Sequence, residues 1–145
     1  MSIWNKLVSG FKVAKFGGAI SNTPRIVTVT TETTVDESYN GGTITCATDG
    51  LVHILADSCP VGMKVKFINS AVTTTAILAI KGSATVGIGG RNQVIAGVSK
   101  ILTSAVGKEL RNTKATALAY DYVELEKVSA TAWDAVTHGI WAKEA

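Results

Sequence analysis

The C-terminal stretch YVELEKVSATAWDAVTHGIWAKEA (Tyr122–Ala145) decides how this chain is read. Val123, Leu125 and Lys127 alternate with Tyr122, Glu124 and Glu126, the two-residue period of a strand with unlike faces. The small residues Ser129-Ala130-Thr131-Ala132 then make a turn, and Trp133 opens a second strand that ends near Trp141. The stretch is a closing hairpin, with Val123, Leu125, Trp133, Ile140 and Trp141 as core or subunit-contact positions. Glu124 and Glu126 share one face. A glycosidase pair needs two carboxylates flanking a cleft, usually from different strands with aromatic platforms between them. Two glutamates on one edge-like strand instead read as a solvated face that discourages edge pairing.

Working outward, the same period recurs. Met63, Val65 and Phe67 oppose Lys64 and Lys66, and further runs of β type are RIVTVTTETTV, GTITCAT, LVHILAD, TAILAIK and QVIAGVSKILT. Between them stand turn residues such as YNGG, TDG, SCPVG and GIGG. Short strands at this spacing with glycine-rich turns predict an all-β fold: an antiparallel β-sandwich, jelly-roll-like, over residues 25–145. Ser104–Leu110 is open to a helical turn or a loop, and strand plus loop is the preferred reading.

Residues 1–24 differ. Ile3, Trp4, Leu7, Val8 and Phe11 fall at helical spacing behind Ser2 as a cap, and Gly17-Gly18 ends the pattern. Pro24 then sets an extended linker. Lys6, Lys12 and Lys15 precede any acidic residue, the first being Glu32. This N-terminal arm, extended or short-helical, carries an apolar face with a basic side. It suits an anionic partner surface or serves as a solvated basic tail. A helix this short gains its order from a partner.

The motifs of catalysis are missing. GSATVGIGGRNQ lacks the Lys-Ser/Thr of a phosphate loop and reads as a glycine-rich turn or bulge, with Arg91 a surface contact. His53 and His138 are the only histidines, and no H-x-H pair occurs. His53, inside an apolar run, is expected buried or half-buried with its nitrogens bonded to backbone. Cys46 and Cys59 form no CxxC pair, so a structural zinc site is not expected; both read as small buried apolar residues, with a cross-strand disulfide the alternative. No serine sits in a G-x-S-x-G elbow. The expectation is a non-enzyme without cofactor or metal.

The chain has 145 residues, 46% apolar and only 17% charged, with a net charge of +3, which fits one domain with a real core. Its β part is close to charge-balanced, so neither nucleic acid nor a membrane is the expected partner. The first residues lack the apolar run of a signal peptide, and synthesis in a cytoplasm is expected.

From about Val27 onward the chain resembles the small β-sandwich head decoration (cement) proteins of tailed bacteriophages. The matching pieces are VTVTTETTVDES, GGTITCATDGLVHILAD, CPVGMKVKFINS and YDYVELEKVSATAWDAVTHGIWA. The family often shows D-G-T-N-W in the final turn where this chain has Ser129 to Trp133. The resemblance implies a virion protein on the capsid surface, made in a bacterial host. It would bind the major capsid protein and itself, often as a homotrimer, and stiffen the shell. It also implies that Trp4, Leu7, Val8, Phe11, Lys12 and Phe16 of the arm contact capsid or a sister subunit. Similar modules occur in tail fibres and spikes, so a receptor-binding or structural module of a tail is the alternative.

Overall fold

The computed structural model describes residues 25–70, 78–93, 99–112 and 116–144. Among these the strands are β1 (Ile26–Val29), β2 (Thr34–Val35), β3 (Gly42–Cys46), β4 (Leu51–Leu55), β5 (Lys64–Asn69) and β6 (Leu78–Gly82). They continue with β7 (Gly87–Gln93), β8 (Ser99–Val106), β9 (Glu109–Asn112), β10 (Tyr122–Ser129), β11 (Ala132–His138) and β12 (Trp141–Lys143). One short 3-10 turn, Glu37–Tyr39, is capped by the Asp36 carboxylate, which accepts from the Ser38 backbone N–H at 2.9 Å. The all-β expectation holds for the described residues.

The strands form two sheets, one of seven in the order β1-β3-β5-β10-β11-β7-β8 and one of five in the order β12-β9-β6-β4-β2. The chain alternates between them for its first six strands. Each strand lies parallel to the one two before it: β3 on β1, β5 on β3, β4 on β2 and β6 on β4. The result is three stacked coils, each with one strand in either sheet. The remainder closes the stack. The β10–β11 hairpin sits antiparallel beside β5, while β7 pairs with β11 in parallel and β8 with β7 antiparallel. In the second sheet β9 and β12 add antiparallel strands beyond β6.

Parallel pairing corrects the antiparallel, jelly-roll-like expectation for this part of the molecule. Parallel neighbours need a crossover, and here the crossover strand belongs to the other sheet. A turn such as Thr48-Asp49-Gly50 reads the same in sequence whether the chain folds back on its own sheet or crosses to the next. Ser104–Leu110 takes the strand-plus-loop form: β8 runs to Val106, and Gly107 (φ +68°) and Lys108 carry the chain over to β9 in the other sheet.

Both sheets face one core. Ile44, Phe67, Leu125 and Trp133 come from the larger sheet and Val35, Leu55, Ile80 and Leu110 from the smaller, all buried. Each aliphatic residue sealed in this way contributes about 1.5–3 kcal/mol. The alternation read in the sequence is kept: Val65 and Phe67 point inward from β5, Val123, Leu125 and Lys127 from β10, and Trp133, Ala135 and Thr137 from β11. Gly90 (φ +135°) lets β7 approach β11 closely, where a methyl group would collide with the Ala135 backbone, and the β7–β8 register shifts between Ile88 and Gly90. The glycine-rich stretch is thus a strand with a bulge.

Candidate functional site

The outer face of the seven-stranded sheet holds a groove of about 440 Å³. Its position follows from strand parity. The outward residues of β5 are Lys64 and Lys66, and those of β10 are Glu124 and Glu126. β11 presents Asp134 and Val136, and Thr43 on β3 forms the opposite wall. Because β5 and β10 are antiparallel with Glu126 opposite Lys64 and Glu124 opposite Lys66, the charges meet level by level. Lys64 Nζ lies 3.6 Å from Glu126 and Lys66 Nζ 3.8 Å from Glu124. Both pairs are solvated, so each is worth well under about 1 kcal/mol to the fold.

The next level is aromatic. Tyr122 stacks on His138 with ring centroids 4.1 Å apart, and Lys66 Nζ lies 3.9 Å from the Tyr122 centroid. Tyr120 follows close by, exposed and held at φ +72°. Among the described residues no group of three His, Cys, Asp or Glu side chains is placed to hold a metal ion. The arrangement presents paired charge of both signs, an aromatic stack and a flanking valine.

Glu124 and Glu126 correct one expectation. β10 is no edge strand, since it lies between β5 and β11 with its backbone paired on both sides. The glutamates are outward-facing as read, but their role is to pair with lysines across a continuous sheet. Val123, Leu125, Trp133 and Trp141 are buried in the core, and Trp141 Nε1 donates to the His138 carbonyl at 2.9 Å. Ile140 is half-buried, and its carbonyl accepts from Asn112 Nδ2 at 3.0 Å. Trp4, Leu7, Val8, Phe11, Lys12 and Phe16 lie outside the described residues, as does the Arg91 side chain.

His53 is fully buried on β4, but neither ring nitrogen has a hydrogen-bond partner, contrary to the expected backbone bonds. Strand parity is the reason. The ring points into the apolar core, with its centroid 5.7 Å from that of Phe67, while the backbone groups are taken up by the sheet. Burial therefore lowers its pKa below the usual value. Cys46 and Cys59 are buried free thiols, not a disulfide. Burial pushes Cys46 up to about 12 and raises Cys59 as well, so both stay protonated and unreactive at neutral pH.

Two polar features carried little or no sequence signal. Lys127 is buried despite its charge, and its ammonium group donates to the Asp57 carbonyl at 2.9 Å, 6.0 Å from the Trp133 ring centre. Its inward parity was legible, its complete burial was not. At the opposite end of the strands Asn69 donates to Asn112 at 2.8 Å, and Asn112 donates to Asp121 at 2.9 Å. Asp121 also accepts from the Leu118 backbone N–H at 2.9 Å, and a side chain at Gly139 would strike its carboxylate. This chain joins β5 in one sheet to β9 in the other through residues far apart in sequence.

A scan against protein-family models finds no match for this chain, and searches of curated proteins and of solved structures find none.

Proposed function

We propose that the protein is a structural virion component that binds the outer surface of a phage capsid and stabilises it, acting through its surface. The observation that carries this reading is a set of exposed valines at one end of the larger sheet. Val61, Val106 and Val128 are 62%, 53% and 52% exposed. Register places all three at the same end of that sheet, Val61 beside Val128 and Val106 on β8, three strands beyond β10. Val61 precedes the start of β5, Val128 lies where β10 leaves it, and Val106 is paired with Gly87 at the start of β7. Backbone bonds tie these loops to one another, Gly62 to the Lys127 carbonyl at 2.7 Å and Gly87 to the Thr131 carbonyl at 2.9 Å. Exposed valines on hydrogen-bonded loops suit a protein partner surface.

On this reading the arm supplies the second contact, with Trp4, Leu7, Val8, Phe11 and Phe16 as apolar anchors and Lys12 beside them. Aromatic anchors carry much of the energy of such interfaces. A tail-fibre or spike module is the second reading, favoured by the stacked coils, since architectures built from coils extend readily along one axis.

Co-sedimentation with capsids that lack the protein tests the proposal, comparing the full chain with one starting at Asn22. Saturable binding of the full chain that weakens sharply without residues 1–21 supports decoration anchored by the arm. Equal binding of both moves the contact to the valine-bearing end. Absence of binding by either overturns the capsid reading and directs the search to cell-surface glycans.

A further inference from the structure

We infer that the outer face of the seven-stranded sheet is a self-association surface that takes a second copy of this chain about a twofold axis. Lys64 and Lys66 are successive outward residues of β5, and Glu126 and Glu124 stand opposite them on β10. The face therefore carries a positive row beside a negative row, matched level by level. The levels select one symmetry. A twofold axis parallel to the strands, midway between β5 and β10, carries each lysine onto the glutamate row without changing its level. Lys64 then meets Glu126 of the partner subunit, and Lys66 meets Glu124 of the partner subunit. A twofold axis across the strands would instead set lysine on lysine and glutamate on glutamate.

An interface about such an axis is isologous, one patch serving both copies. Each charge would gain an opposite neighbour across the interface besides the one it already has within its chain. The flanks follow the same operation. Val136 is level with Glu124 and Thr43 with Lys66, so the operation sets this part-exposed valine against Thr43 of the partner subunit. Tyr122 is level with Ile68 and meets it in the same way. The groove between the walls is open, and Lys64 and Glu126 keep 68% and 47% of their side-chain surface exposed, so these groups are free to meet a second copy.

Equilibrium sedimentation of the full-length free protein tests this and does not depend on capsid binding. The expected result is a reversible monomer–dimer equilibrium that weakens as salt is raised, because the contacts are ionic. An acidic-face variant, Lys64→Glu with Lys66→Glu, and a basic-face variant, Glu124→Lys with Glu126→Lys, should each self-associate about a hundredfold more weakly. An equimolar mixture of the two should restore a dimer. Each double variant keeps like charges opposed within its own chain, so recovery on mixing reports the interface and not the fold. The fourfold swap, which restores both intrachain pairs and the self-complementary pattern, should dimerise like the original chain. A chain that stays monomeric, that sediments as the trimer implied by the family resemblance, or whose dimer ignores both double variants overturns the inference.

Discussion

A histidine on an apolar strand ordinarily finds backbone partners for its ring nitrogens. His53 does not, and this makes it the clearest single-residue prediction. Its pKa in the folded chain is lowered from 6.5 by burial, with the Glu32 charge opposing. The unfolded chain therefore takes up a proton that the folded chain refuses, and stability falls as pH drops below about 6.5, by at most about 1.4 kcal/mol per pH unit for one proton. His53→Leu should flatten the loss of stability between pH 6.5 and about 5, above the range where carboxylates titrate. Chemical denaturation at several pH values checks this, and an unchanged acid limb would refute the assignment. Lys127 is the complementary case. Its stem fills core space beside Trp133, so Lys127→Met should stay within about 1 kcal/mol of the original stability. Lys127→Glu would bury a carboxylate facing the Asp57 carbonyl and should cost more than about 3 kcal/mol. Equal tolerance of both substitutions in thermal melts would mean that this side chain reaches water.

Among the elements, the polar chain Asn69–Asn112–Asp121 is the joint between the two sheets at one end of the molecule. Asn112→Ala strips a donor from Asp121 and from the Ile140 carbonyl, and an acceptor from the Asn69 amide. Leaving buried polar groups unmatched in this way should cost about 2–4 kcal/mol. Amide exchange near Asn69 and Asp121 should rise more than exchange in the coils, and uniform protection would contradict the joint. Much at this scale was legible in sequence. The alternation in β5, β10 and β11 gave inward and outward faces correctly, because period two follows from strand geometry alone. The stacked coils were hidden because their repeat is uneven. Ile26 pairs with Thr43 and Thr43 with Lys66, 17 and 23 residues apart, while Thr34 pairs with Ile54 and Ile54 with Lys81, 20 and 27 apart. No fixed period survives such spacing, so the parallel path had to come from the register. The paired face was half legible: both charged rows stand in the sequence, but their adjacency depends on β10 settling beside β5 across more than fifty residues.

At the scale of the whole molecule, one core seals two sheets into a body whose described residues present three unlike surfaces. Exposed valines lie at one end, paired lysines and glutamates line the outer face of β5 and β10, and an aromatic group lies around Tyr120 and Tyr122 near the other end. On the proposed role the protein adds buried area across a joint, and loss of one of these surfaces should weaken assembly without unfolding the chain. Val61→Asp with Val128→Asp, both at exposed positions, should leave the melting temperature within a few degrees while reducing capsid binding about tenfold or more. A matching drop in melting temperature would instead mark these valines as part of the core. The proposed role is tested most directly by the temperature at which packaged DNA escapes from capsids that lack the protein, before and after saturation with it. Stabilisation of the shell predicts that release shifts to higher temperature and stops shifting once the surface sites are full. An unchanged release temperature at saturating protein would contradict it.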